Sequence, residues 1–168
     1  LLIDDCVFEN NTCVETAVVY FADGDYAKVT DTKFVGNNVS STGNAATLYM
    51  GWGSGFEVSG CLFDGNTVTT TKRFASAIFC DGCVVNNNTF INNTAVRGGE
   101  NITTVVAVGA YYGEADINGN YWGDNAPVPG TDYTVEYTRN DVAIDNYYSD
   151  AALTNKVSLN NVAKVGKY

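Results

Sequence analysis

The stretch "VSGCLFDGN", residues 58–66, decides the fold because the chain repeats it. "INGNYWGDN" (117–125) agrees with it at the first, third, sixth and ninth positions: Val or Ile, Gly, Phe or Trp, Asn. "IDDCVFENN" (3–11), "VTDTKFVGN" (29–37) and "VNNNTFINN" (85–93) are further copies. The aromatic position reads Phe8, Phe34, Phe63, Phe90 and Trp122, at spacings of 26, 29, 27 and 32 residues. A period of this length fits one turn of a solenoid. The segments are short, β-branched or aromatic, and punctuated by Gly, Asn and Asp, as strands are. The pattern predicts an all-β, right-handed parallel β-helix of about five coils, with equivalent strands stacked about 4.8 Å apart.

Side-chain direction follows from counting back from the aromatic. Two positions before it stand Cys6, Thr32, Cys61, Asn88 and Asn120, small enough to point inward beside the ring. Five before it stand Ile3, Val29, Val58, Val85 and Ile117. An odd separation cannot keep both residues inside one flat strand, so a bend must intervene. Asp5, Asp31, Gly60, Asn87 and Gly119 occupy that place, and these types tolerate left-handed backbone. Three residues after each aromatic comes Asn11, Asn37, Asn66, Asn93 or Asn125, read as a structural ladder of stacked amides. A third strand follows in "AVVYF", "ATLYM", "SAIFC" and "VVAV", which gives a three-sided coil. Residues 1–130 form the repeats. Residues 131–168 are read as a C-terminal β cap and tail, with Tyr133, Val135 and Tyr137 buried against the stack and Val157, Leu159, Val162 and Val165 in the tail.

Composition narrows the function. A 168-residue chain that is 45% hydrophobic is long enough to bury one core, and no apolar run approaches a membrane span. A net charge of −10 with nine basic residues argues against a nucleic-acid partner. The absence of histidine removes the commonest general base and metal ligand, and no cofactor is implied. Glu9 and Asp64 share an outward column, but Val35 separates them and no base accompanies them, so a polysaccharide-cleaving site is the weaker reading.

Phe-x-x-Asn followed by a small-residue and aliphatic strand resembles the repeats of chlamydial polymorphic outer membrane proteins. "GNYWGDNAP" resembles the closing coil of adhesin-like surface proteins of methanogenic archaea. The resemblance covers residues 3 to about 130. It implies a secreted parallel β-helix at the cell surface, adhesive or structural rather than enzymatic, with a carbohydrate-binding or polysaccharide-degrading module as the alternative.

Four further expectations concern particular residues. "CDGC" reads as a local Cys80–Cys83 disulfide, with two free thiols as the alternative. Of the sequons at Asn10, Asn38, Asn87, Asn92 and Asn101, Asn38 and Asn101 lie in long segments and are the candidates for glycosylation. Length variation gathers on one edge, where Thr70, Lys72, Arg73 and Arg97 form a candidate binding edge for a host or neighbour-cell glycan or protein. The first coil leaves no room for a cap, so it is covered either by another copy, head to tail and with the tail as a donated strand, or by preceding coils of a longer protein.

Overall fold

The computed structural model describes residues 1–123 and 126–159. Among them there is no helix, and the strands stack into a parallel β-solenoid of about five turns, the fold class expected from the repeat. The first coil contains β1 (Leu2–Asp4), β2 (Val7–Glu9), β3 (Thr12–Val14) and β4 (Val19–Ala22). The second contains β5 (Lys28–Thr30), β6 (Lys33–Val35), β7 (Asn38–Ser40) and β8 (Leu48–Gly51). The third contains β9 (Phe56–Ser59), β10 (Leu62–Asp64), β11 (Thr67–Thr70) and β12 (Ile78–Asp81). In the fourth, β13 (Cys83–Asn86), β14 (Thr89–Ile91) and β15 (Thr94–Arg97) precede a hairpin partner β16 (Glu100–Ile102) and then β17 (Val106–Ala110). The fifth holds β18 (Ala115–Asp116), β19 (Asn120–Tyr121) and β20 (Tyr133–Thr138). β21 (Val142–Ala143) and β22 (Asn146–Tyr148) begin another turn, and β23 (Lys156–Ser158) closes the described chain.

The first four coils therefore place strands on four faces where three strands per coil were expected, the fourth coil adding β16, while the fifth has strands on three of the faces. The additional strand is the third of each of the first four coils, in segments read as loops. Its inward column is narrow, Cys13, Val39, Val68 and Ala95, and its neighbours are Thr, Asn and Ser except for Val14 and Val96, so the strand hides behind mostly polar residues.

Phe8, Phe34, Phe63 and Phe90 are in register on the second face. Their ring centroids are 5.0, 4.8 and 5.5 Å apart, and Trp122 continues the stack 5.0 Å from Phe90. The residues expected at the bend all have left-handed backbone: Asp5 at φ 49°, Asp31 at 47°, Gly60 at 68°, Asn87 at 54° and Gly119 at 63°.

The asparagines join the turns. Asn66 Oδ1 accepts from Asn37 N (3.0 Å) and Asn37 Nδ2 (2.9 Å), while Asn66 Nδ2 donates to Phe34 O (2.9 Å). Asn11 is linked to Asn37, and Asn66 to Asn93, in the same way; Asn125 lies outside the described residues. A second column forms beside the rings, where Asn88 Oδ1 accepts from Cys61 N (2.9 Å) and Asn120 Oδ1 from Asn88 N (3.0 Å). Cys61 is buried there, and its burial pushes the thiol pKa up to about 11.

Residues 131–150 cover the upper end by continuing the stack. β20, β21 and β22 pair parallel to β17, β18 and β19, and Tyr133, Val142 and Ile144 are buried. Tyr137 has its side chain outside the described residues, as do Val162 and Val165 altogether. The tail strand, read as one to be donated to another copy, has a partner within its own chain. β23 folds back antiparallel on β22, with Val157 opposite Tyr147. Asp150 turns the chain there by accepting from the backbone N–H groups of Thr154 and Asn155, and the return strand covers an otherwise open sheet edge.

Candidate functional site

The corner between the fourth face and the first departs from the repeat. Coil one crosses it with Asp23–Tyr26, coil two with Trp52–Gly55, and coil three with Gly82 alone. The backbones there touch. A Cβ on Gly53 would lie 1.6 Å from Gly24 O, and one on Gly82 would lie 3.0 Å from Gly113 N. Cys80 and Cys83 are joined by a disulfide across the shortened turn. The corner is thus drawn in at coil three and stands out in coils two and four.

Aromatic side chains wall the recess. Trp52 from coil two, Tyr111 and Tyr112 from coil four, and Arg73 from the segment before β12 line one cleft of about 310 Å³. Trp52 is 56% exposed and Tyr112 54%, whereas the repeat aromatics Phe34 and Phe63 are fully buried. Tyr26, one coil below Trp52, is the most exposed of the corner aromatics at 74%.

Trp52 and Tyr26 also occupy costly backbone. Trp52 has φ 58° and Tyr26 φ 60°, in the left-handed region that bulky side chains avoid. In the stack, Asp23 (φ 58°) occupies the position of Trp52, and Gly55 (φ 68°) that of Tyr26. The turn geometry is therefore met by Asp or Gly in the neighbouring coil. Each aromatic costs about 1–2 kcal/mol more than glycine would there. Folding does not ask for either ring.

The surroundings fix the site in place. Asp81, fully buried, accepts from Tyr111 N at 2.9 Å. Arg73 Nε lies 3.4 Å from Glu136, and the Arg139 guanidinium sits 3.9 Å from the centre of the Tyr111 ring, a close cation–π contact. Beneath, on the outer side of the fourth face, Tyr49 stacks on Phe79 at 4.6 Å, and burial raises the Tyr49 hydroxyl pKa.

Of the expected binding edge, Arg73 alone reaches this cleft. Thr70, expected in an exposed loop, is instead buried at the end of β11, where its hydroxyl donates to Gly43 O. Arg97 lies 5.7 Å over the Phe74 ring, and Lys72 is exposed. Asn38 and Asn101 are exposed as well, on β7 and β16 rather than in loops. Glu9 and Asp64 flank Val35 in register on the second face. Among the described residues no group of three or more Cys, Asp or Glu side chains is placed to hold a metal ion. The repeat pattern does not single out Trp52, Tyr111 or Tyr112; the readable signal is "GWGSG", a tryptophan between glycines with no counterpart in the other coils.

Comparison with family models, with curated proteins and with solved structures returns no match for this chain. Fold and corner together define a class: a parallel β-solenoid with an aromatic cleft on one flank.

Proposed function

We propose that the protein is a non-enzymatic module of the cell exterior, a rigid solenoid that holds a partner on a neighbouring or host surface. The observation that carries this reading is the pair of exposed aromatics, Trp52 and Tyr26, kept in left-handed backbone where Asp and Gly serve the adjacent coils. Strain retained at an exposed position is a mark of binding rather than packing. The Cys80–Cys83 disulfide suits an oxidising compartment. The acidic surface, with a net charge of −10, suits a partner that is not nucleic acid. The likeness of the Phe-x-x-Asn repeats and of "GNYWGDNAP" to chlamydial and methanogen surface proteins supports an adhesive role.

Beads coated with the protein should bind isolated envelopes of methanogenic archaea or of bacteria in excess of albumin-coated beads. Equal retention on all of them removes the adhesive reading.

Self-association is a second reading, favoured by the lower end of the stack. Ile3, Phe8, Cys13 and Phe21 are half-buried there, while their counterparts Val29, Phe34, Val39 and Met50 are fully buried. A further coil laid on that end would bury them, whether it belongs to a second copy or to preceding coils of a longer chain. Because β23 already pairs β22 at the other end, a head-to-tail contact has to displace or bypass it. Sedimentation of the 168-residue chain and of one ending at Ala152 tests this. Self-association predicts larger species that grow when the tail is removed, and monomers in both cases exclude it.

A further inference from the structure

We propose that the aromatic corner is a glycan-binding cleft, in which sugar rings stack on Trp52 and Tyr112 while Arg73 binds their hydroxyl or carboxylate groups. This deepens the surface-module reading and rests on it.

The chemistry of the lining selects the ligand. A pyranose has an apolar C–H face and a polar rim, so its receptor needs a flat ring beside fixed polar groups. The cleft offers three aromatic side chains and one guanidinium in about 310 Å³. A quaternary ammonium ligand would also favour an aromatic cage. Here Arg139 already engages the Tyr111 ring at 3.9 Å and Arg73 stands in the lining, so less of an aromatic cage is left for a second cation. A protein partner needs more surface. Aromatic rings present about 150–250 Å² each. At one-third to one-half exposure Trp52, Tyr111 and Tyr112 together offer roughly 300 Å², against about 800 Å² per partner in a stable protein interface.

Dimensions and rigidity agree with that selection. Trp52 and Tyr112 belong to coils two steps apart, about 10 Å along the stack. That is the reach of two linked sugars, and Tyr26 continues the same edge one coil further. The cleft is built in advance of its ligand: Asp81 holds Tyr111, the disulfide closes the short turn, and the glycine backbones leave no slack. Preorganised rings with few rotamers lose little entropy on binding.

Trp52 and Trp122 are the two tryptophans of the chain, and they divide the fluorescence conveniently. Trp52 is exposed and reports the cleft, while Trp122 is nearly buried and reports the fold. Cellotetraose, chitotetraose, mannotetraose and tetragalacturonate, titrated to millimolar concentration, form the panel. At least one should blue-shift the emission saturably. Trp52→Gly should abolish the shift and, by calorimetry, weaken binding at least tenfold while leaving Trp122 emission unchanged. Tyr112→Ala should weaken it comparably. Arg73→Gln should cost tetragalacturonate more than the neutral sugars. If no tetrasaccharide binds, or the variants bind as the parent does, the glycan proposal is overturned. Coated beads that still adhere to envelopes in that case leave the surface-module reading standing. New reducing ends during the titration would instead overturn the non-enzymatic reading while retaining the sugar cleft.

Discussion

Two corners of the same coil meet the same backbone problem in opposite ways. At the turn that follows the stacked rings, coils two to four each place an asparagine whose side chain accepts from the coil below and donates to a ring-residue carbonyl of that same coil. At the turn from the fourth face to the first, the coils disagree in length, residue type and exposure. The first corner is uniform because a buried amide without a partner costs about 1–3 kcal/mol. The second is free to vary because contacts between glycine backbones already hold it together. Uniformity marks what the stack needs, and departure from it marks what the stack carries.

The ring column should show the largest effect. Phe63 is fully buried between Phe34 and Phe90, so Phe63→Ala should destabilise by about 3–5 kcal/mol. Chemical denaturation measures this directly. A loss near zero would mean that the column does not form the core.

Asn66→Ala removes an acceptor from two donors of Asn37 and a donor from Phe34 O. A loss of about 2–3 kcal/mol is expected, since buried groups are left unpaired. Asn10→Ala, at an exposed left-handed position in the first coil, should cost less, about 1–2 kcal/mol. Equal costs would erase the distinction between ladder and turn.

Reducing the Cys80–Cys83 disulfide, which closes a sequence separation of 3, should lower stability by about 2 kcal/mol on chain-entropy grounds. The buried Cys61 thiol, with its pKa raised to about 11, should meanwhile resist alkylation at pH 8 in the folded protein. Rapid labelling of Cys61 before unfolding would show that the second ladder opens locally.

Most of the fold was legible because a solenoid repeats its demands. Each coil had to supply an inward ring, a left-handed bend at Asp5 or its equivalents, and a ladder amide. Strand number was not legible, since the third strand buries one narrow column behind mostly Thr, Asn and Ser. The site was less legible still. Aligning repeats discards whatever occurs once, and Trp52 occurs once. The charge of Arg73 is legible in the sequence, but its chain neighbours Lys72 and Thr70 do not reach the cleft with it, because β11 turns Thr70 inward. The pairing of Arg73 with Glu136 spans two coils that no local pattern connects.

The smallest expected effect is the most diagnostic, because its sign is unusual. In most exposed positions glycine is less stable than alanine by about 0.4–1 kcal/mol, as it loosens the unfolded chain. Position 52 has φ 58°, where alanine retains a steric penalty of about 1–2 kcal/mol that glycine escapes. Trp52→Gly should therefore be more stable than Trp52→Ala by roughly 0.5–1 kcal/mol, the difference of those two terms. Against the parent, Trp52→Gly should change stability little, because the lost contacts of a half-exposed ring offset the relieved strain. At position 20 the backbone is ordinary strand and Tyr20 is similarly exposed, so Tyr20→Ala should be more stable than Tyr20→Gly. Thermal denaturation of the four variants compares the varied corner with a regular strand within one molecule. If alanine is the more stable at both positions, Trp52 is not strained in solution, and its retention ceases to point to a ligand.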